Sequence, residues 1–159
     1  MSTGKWAQPG VPHRGWVCID IQDLEEPSAT CEMCEVMTIR YVHVMAHNDY
    51  SNLGVGCVCA GNMEQDLEGA RRREDEFKLT LTRRKRWLSR RWNVSAAGNE
   101  YLNTDGFNVV VYPQGNHWGA RVEHRDSGHR RVSKRPYDSE EAAKLAALAV
   151  ILDMKRRAE

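Results

Sequence analysis

The sequence holds no apolar run near the roughly 18 residues that a membrane-crossing helix needs, and Met1-Ser2-Thr3-Gly4-Lys5-Trp6 opens no hydrophobic signal segment. A soluble, cytosolic protein is expected. It also lacks a phosphate-binding glycine loop, a GxSxG nucleophile elbow and a dinucleotide-binding fingerprint, so the sequence gives no support to nucleotide-enzyme or hydrolase chemistry. No internal repeat or low-complexity segment is evident. At 159 residues the chain makes one compact domain or two small ones, and a small one buries little apolar surface unless something staples it.

Cysteine is sparse, five in all, yet four fall in two close pairs: Cys31-Glu32-Met33-Cys34 and, after 22 intervening residues, Cys57-Val58-Cys59. In a reducing compartment such pairs favour a metal over a disulfide. Two pairs on either side of a short hairpin make a tetrahedral soft-ligand site suited to zinc, with Cys31, Cys34, Cys57 and Cys59 as ligands. The CxC spacing of the second pair leaves His43 and His47 as candidate replacements. Cys18 has no partner at metal spacing and reads as a small buried hydrophobe.

Residues 1–15, with Pro9-Gly10, Pro12 and Arg14-Gly15, carry no apolar period and read as a loose arm. Trp16 to Ile21 is a strand candidate. From Met37 to His47 β-branched and aromatic residues alternate, placing Ile39, Tyr41, His43, Met45 and His47 on one face, and Leu53 to Cys57 returns as the partner strand. Asn62 with Gln65 has capping-box spacing. Met63, Leu67, Ala70, Phe77, Leu81 and Leu88 then recur at helical spacings, so a helix is expected from about residue 63 to about 91, with β-branched Thr80 and Thr82 as its weakest stretch, where a break is allowed.

The formal charge of +1 conceals a strong asymmetry: residues 1–69 hold 3 Lys/Arg against 10 Asp/Glu, residues 70–92 hold 10 against 3, and residues 93–159 hold 10 against 9. A concentrated basic block matters more for polyanion binding than the total does. Arg71, Arg72, Arg73, Arg83, Arg84, Lys85, Arg86, Arg90 and Arg91 form it, with Trp87 and Trp92 interleaved. Arginine forks suit phosphate oxygens, and a tryptophan can stack on an unpaired base. Each tryptophan lies near the apolar stripe, however, and reads first as a core anchor.

Phe107 to Tyr112, Trp118 to His124 and His129 to Ser133 read as three strands, followed by a helix capped by Asp138 with Glu141 at the capping-box position. Ala142 to Leu152 is apolar nearly all round, as in a helix buried against a sheet.

Residues 31 to about 70 resemble treble-clef and zinc-ribbon proteins, which implies a structural zinc ion. His43 lies where HNH-type nucleases of the treble-clef class carry a catalytic histidine, although no histidine follows on the helix to complete a second metal site. The C-terminal segment, from Trp118-Gly119-Ala120-Arg121-Val122 to Asp138-Ser139-Glu140-Glu141, is similar to the three-stranded-sheet DNA-binding domain of plant ethylene-response factors and phage integrases. That resemblance implies a sheet in the major groove, with Trp118, Arg121, Arg125, Arg130 and Arg131 as contacts. The order α-β-β-β-α also looks like a double-stranded-RNA-binding domain, but Ser139-Glu140-Glu141 would repel phosphate where that family presents lysines, so DNA ranks above duplex RNA. As a whole the chain resembles small prokaryotic or phage-type zinc proteins of unassigned function.

The sequence thus leads to an α+β protein: a flexible arm (1–15), a zinc-stapled β-hairpin domain (16–69), a basic helical segment (70–92) and a β-β-β-α domain (93–159). The expected function is zinc-dependent nucleic-acid binding, with DNA favoured, in a regulatory or accessory role and without catalysis. Two readings stay open beside it: an interaction module whose basic helix grips an acidic protein, and a divergent HNH-like nuclease.

Overall fold

The structure, a computed structural model, describes residues 3–159. The protein is mixed α and β, and the chain divides into two compact units, Met1–Thr80 and Leu81–Glu159, each with its own core. No helix among the described residues is long and apolar enough to cross a membrane.

The first unit contains β1 (Val17–Asp23), a short hairpin of β2 (Ala29–Thr30) and β3 (Thr38–Ile39), then β4 (Tyr41–His47), β5 (Tyr50–Val55) and α1 (Cys57–Glu64); α2 (Leu67–Ser89) begins in it. β1, β4 and β5 form an antiparallel sheet in the order β1-β4-β5. The alternation in β4 sends Met45 and His43 into the interior, both fully buried, where Met33, Met63 and Val55 join them. Trp16 anchors the strand entry: its Nε1 donates to Pro12 O at 2.9 Å, and its ring lies against His47 and Tyr50.

The expected loose arm is instead folded onto this unit. Gly4 to Ala7 forms a 3-10 turn, Lys5 N donates to Met33 O at 2.7 Å, and Trp6 is buried in the core. Gly4 permits the contact, because at φ +59° a Cβ would lie 2.5 Å from Cys34 O. A lone tryptophan among polar and proline-rich residues has no periodicity to reveal that it is an anchor.

The single helix expected from about residue 63 is two. α1 starts at Cys57, and Asn62 lies inside it rather than capping it. Gln65 turns left-handed at φ 61°, with Asp66 N donating to Gly61 O at 2.8 Å. Asp66 Oδ1 then accepts from Gly69 N at 2.9 Å, as an N-cap side chain does. Gly61 is required at the corner, since a Cβ there would meet Leu67 Cα at 2.6 Å. α2 runs unbroken through Thr80 and Thr82, so the β-branched pair does not interrupt it.

The second unit opens with the end of α2 and continues through β6 (Asn93–Val94), β7 (Glu100–Thr104), β8 (Phe107–Gln114), β9 (His117–His124), β10 (Arg130–Val132) and α3 (Glu140–Ala158). The sheet is a five-stranded antiparallel meander in the order β10-β9-β8-β7-β6. The three expected strands are present; β6 and β7 are additional, and the polar Glu100-Tyr101-Leu102-Asn103-Thr104 contributes only Leu102 to the core. The tight β7–β8 turn uses Asp105 and Gly106, both left-handed, as two-residue hairpins do.

α3 packs Ala143, Ala147, Leu148, Ile151 and Met154 into the core with Val109, Val111 and Val122. Its N-cap is Ser139, not Asp138: Ser139 Oγ accepts from Ala142 N at 3.0 Å.

Asp153 ties this helix to the sheet, accepting from Arg131 Nη1 at 2.7 Å, Arg156 Nη2 at 2.5 Å and Arg157 Nε at 3.0 Å. These guanidiniums, Arg131 foremost, hold its carboxyl at a pKa of about 2, below the ordinary value of about 3.9. A depressed folded-state pKa contributes stability above the unfolded value and loses it as pH falls through the folded one. Asp153→Asn is therefore expected to flatten the fall in melting temperature between roughly pH 4 and pH 2. Superimposable acid curves for variant and parent would show that these ion pairs add nothing to stability.

Candidate metal centre

Cys31 and Cys34 lie on the loop of the β2–β3 hairpin. The loop is closed by Cys31 N donating to Met37 O at 2.8 Å, by Glu35 N donating to Cys31 O at 2.8 Å, and by left-handed Glu35 at φ 61°. Glu32 clamps it to β5: its backbone N donates to Gly54 O at 3.0 Å, and its Oε1 accepts from Gly54 N at 2.9 Å. Cys59 arrives from the first turn of α1. The Cys31, Cys34 and Cys59 sulfurs lie within 4.8 Å of one another, and all three residues are buried.

The pocket favours a thiolate at Cys31. The neighbouring Cys59 thiol, assisted by the backbone N–H groups of Cys34, Gly56 and Met33, pulls the Cys31 pKa well below the ordinary thiol value against the opposing effect of burial. Cys59, as the proton holder of the pair and buried, is pushed up. The Trp6 indole N–H is buried without a hydrogen-bonded acceptor, and it draws Cys59 toward the thiolate. Three buried sulfurs within reach of one ion, beside an unpartnered indole N–H that a thiolate would satisfy, fit a soft divalent cation.

Cys57 is not part of this group. It occupies the first position of α1 and Cys59 the third; at about 100° per residue, side chains two apart on a helix diverge by about 200°. Cys57 joins His43 and Glu74 instead, their ligand atoms also lying within 4.8 Å of one another. A cavity of 240 Å³ is bordered by Cys31, Cys57, Cys59 and Glu74, with Met37, Tyr41 and Val58 among the residues around it.

The second cluster is organised by hydrogen bonds rather than for a metal. Arg73 donates to His43 Nδ1 from Nε at 3.2 Å and from Nη2 at 3.0 Å, and grips Glu64 at 3.1 and 2.6 Å. His43 Nδ1 must therefore accept, which places the ring proton on Nε2, 3.3 Å from Glu74 Oε1. Metal-bound histidines show the opposite polarity, donating from the nitrogen that does not bind the metal. Burial, with Arg73 assisting, pushes the His43 pKa down, so the ring stays neutral. Burial and the Glu74 carboxylate raise the Cys57 thiol, the reverse of what a nucleophile needs.

Neither candidate histidine joins the three-cysteine group, and both have engaged ring nitrogens. His43 is fully buried with both ring nitrogens engaged, and His47 Nε2 lies 2.9 Å from Arg14 O while Nδ1 accepts from Asp49 N. Glu74 and Trp6 were not singled out in the sequence. Glu74 follows three arginines and reads as part of a solvated charge run, and no spacing links it to a histidine 31 residues away.

The candidate nucleic-acid contacts divide. Arg71, Arg72, Arg83, Arg84, Lys85, Arg86, Arg90 and Arg91 are exposed, whereas Arg73 is turned inward on His43 and Glu64. Trp87 is buried, its Nε1 donating to Lys144 O at 2.7 Å, and Trp92 packs edge-on against it at 5.5 Å. The sheet residues expected to share one groove-facing surface do not share it. Trp118 packs against the core and Arg131 reaches Asp153 on α3, while Arg121, an odd number of positions from Trp118, lies on the other face. Arg130 is held by Glu123 at 2.7 Å, and Arg125 is exposed in the β9–β10 turn.

In comparison with known proteins, the chain matches no family model, no curated protein and no solved structure.

Proposed function

We propose that this chain is a zinc-stapled nucleic-acid-binding protein, DNA being the favoured target, in which a treble-clef-like knuckle, hairpin and helix start α2 and a basic segment from Arg83 to Arg91 holds phosphates. The observation that carries the reading is the state of those cations. Arg83, Arg84, Lys85, Arg86 and Arg91 are exposed and form no ion pair among the described residues. The sequence places no Asp or Glu between Glu76 and Glu100 to neutralise them. Self-repulsion on this scale is unfavourable until a polyanion relieves it, and the gain on binding comes from releasing the polyanion's counterions.

Zinc suits the donor set, since sulfur ligands select soft or borderline cations and exclude magnesium and calcium. Three thiolates leave one position of a tetrahedron to another ligand, and the cavity beside Cys31 and Cys59 has room for one.

The test is the salt dependence of DNA binding, followed by fluorescence anisotropy. Log affinity should fall linearly with log salt by about 0.9 per phosphate engaged. Charge reversal of Arg83, Arg84, Lys85 and Arg86 to Glu should weaken binding and flatten that slope by about 2 to 4. Undiminished affinity would remove the helix as the binder. A stoichiometric complex with an acidic protein that survives nuclease treatment, without DNA binding, would replace nucleic acid as the target.

A further inference from the structure

Strand alternation gives the sheet of the second unit two chemically different faces. Phe107, Val109, Val111, Ala120 and Val122 are buried with α3. On the opposite face Tyr101, Val110, Arg121 and Val132 stand in cross-strand register, with Tyr112 opposite Gly119 in a neighbouring row. Val132 is 51% exposed there.

Three details of this face point to a ligand. The Tyr112 ring lies across the bare backbone of Gly119: a Cβ on Gly119 would fall 2.5 Å from Tyr112 Cε2 and 2.8 Å from its hydroxyl. Glycine thus lets the ring lie down on the sheet, leaving its other side turned away from it. Arg121 is half-exposed, and its Nε is buried without a hydrogen-bond partner, so its charge is not neutralised through that nitrogen and is left for the exposed part of the side chain to offer. The basic segment also runs directly into the face, since Asn93, two residues after Arg91, pairs with Tyr101. Arg90 Nη1 meanwhile donates to Thr104 Oγ1 at 2.6 Å, at the far end of the same strand.

We propose that this face is a stacking platform for the unpaired bases of single-stranded DNA, with Tyr112 and Tyr101 under the bases and Arg91 and Arg121 on the phosphates. The proposal rests on the nucleic-acid reading above and narrows it from any DNA to an unpaired strand. Bases in a duplex are stacked on one another and offer no free face, whereas two half-buried tyrosines in neighbouring rows beside arginines accept successive unpaired bases of any sequence. The face has few spare polar groups to read a base edge or a ribose 2′-hydroxyl: Asn108 Nδ2 donates to Asn103 Oδ1 at 2.8 Å, and Glu123 is occupied by Arg130. Binding is therefore sequence-tolerant and needs no ribose.

The experiment compares fluorescein-labelled oligothymidylate, oligouridylate and a DNA duplex of equal length by anisotropy with the full chain. Tyr112→Ala and Tyr101→Ala should each weaken oligothymidylate binding about ten-fold, leave duplex binding and the salt slope unchanged, and retain the parent's circular dichroism. Tyr112→Phe keeps the ring and should bind as the parent does, which guards against a loss caused by misfolding. Parent-like binding of oligothymidylate by both alanine variants, tighter binding of oligouridylate than oligothymidylate, or equal loss for duplex and single strand overturns the platform. Duplex binding without single-strand binding overturns the platform alone, and no binding of any nucleic acid overturns the parent reading with it.

Discussion

Cys59→Ser is expected to abolish metal binding and to unfold the N-terminal unit, while Cys57→Ser leaves the metal count unchanged. The contrast follows from the helix: Cys59 converges with Cys31 and Cys34, and Cys57 points away toward His43 and Glu74. The expected effect is large because apparent binding energies for structural zinc in small domains are about 10–16 kcal/mol, as much as the whole stability of a typical domain, about 5–15 kcal/mol. The centre also anchors more than its ligands. Gly4 and Lys5 pack on the knuckle, Lys5 Nζ bonds Glu35 at 3.0 Å, and Trp6 lies in the core with Cys31, Cys34 and Cys59. Chelation should accordingly release Trp6 to solvent and red-shift tryptophan emission. Native mass spectrometry with metal analysis counts the ion in each variant. If Cys57→Ser loses the metal while keeping its fold, the site takes four cysteines and the division described above is wrong. If Cys59→Ser keeps the metal, the three-cysteine centre is wrong.

Trp87→Ala should destabilise the C-terminal unit by about 3–5 kcal/mol. Trp87 is 5% exposed, in one core with Leu102, Val109, Ala147 and Ile151, and meets Trp92 edge-on. Truncation leaves a cavity where the indole was, removes the donor to Lys144 O, and takes away the ring against which Trp92 packs, itself covered by Lys144 Nζ at 4.8 Å from its centroid. Trp87→Phe, which keeps an aromatic but not the N–H, should cost less. Urea unfolding monitored by circular dichroism gives the difference directly, and a loss below about 1 kcal/mol would mean that the neighbours collapse into the gap. Lys85 and Arg86, two residues and one residue earlier, are exposed, so their neutral substitutions should change stability by no more than about 0.5 kcal/mol. One helix end thus has a structural residue beside the proposed phosphate contacts, and stability measurements separate the two.

The alternating runs that became β4 and β9 were legible in the sequence from their period of two, and the short apolar, β-branched runs that became β1 and β8 were legible from composition. β6 and β7 were not legible. They are short and polar, and they exist because β8 offers a pairing edge to Glu100–Thr104. At Asn62, Asp66, Asp138 and Ser139 several residues of capping type compete within a few positions, and only the path of the chain selects one. Trp6 shows the same limit for packing, since a single anchor has no period.

Local chemistry sufficed to establish that thiols in close pairs make a metal centre credible, that a basic block spans residues 70–92, and that the chain is mixed α and β. Those inferences rest on residue type and spacing along the chain, which folding cannot alter. Tertiary structure decided which thiols meet, because a helix beginning at Cys57 turns a pair that is adjacent in sequence to opposite sides. It also decided that Arg73 serves His43 and Glu64 rather than solvent, and that Trp118 and Arg121 face opposite ways. Each outcome depends on where a second element places its side chains, and that is set by the burial of apolar residues far away in sequence.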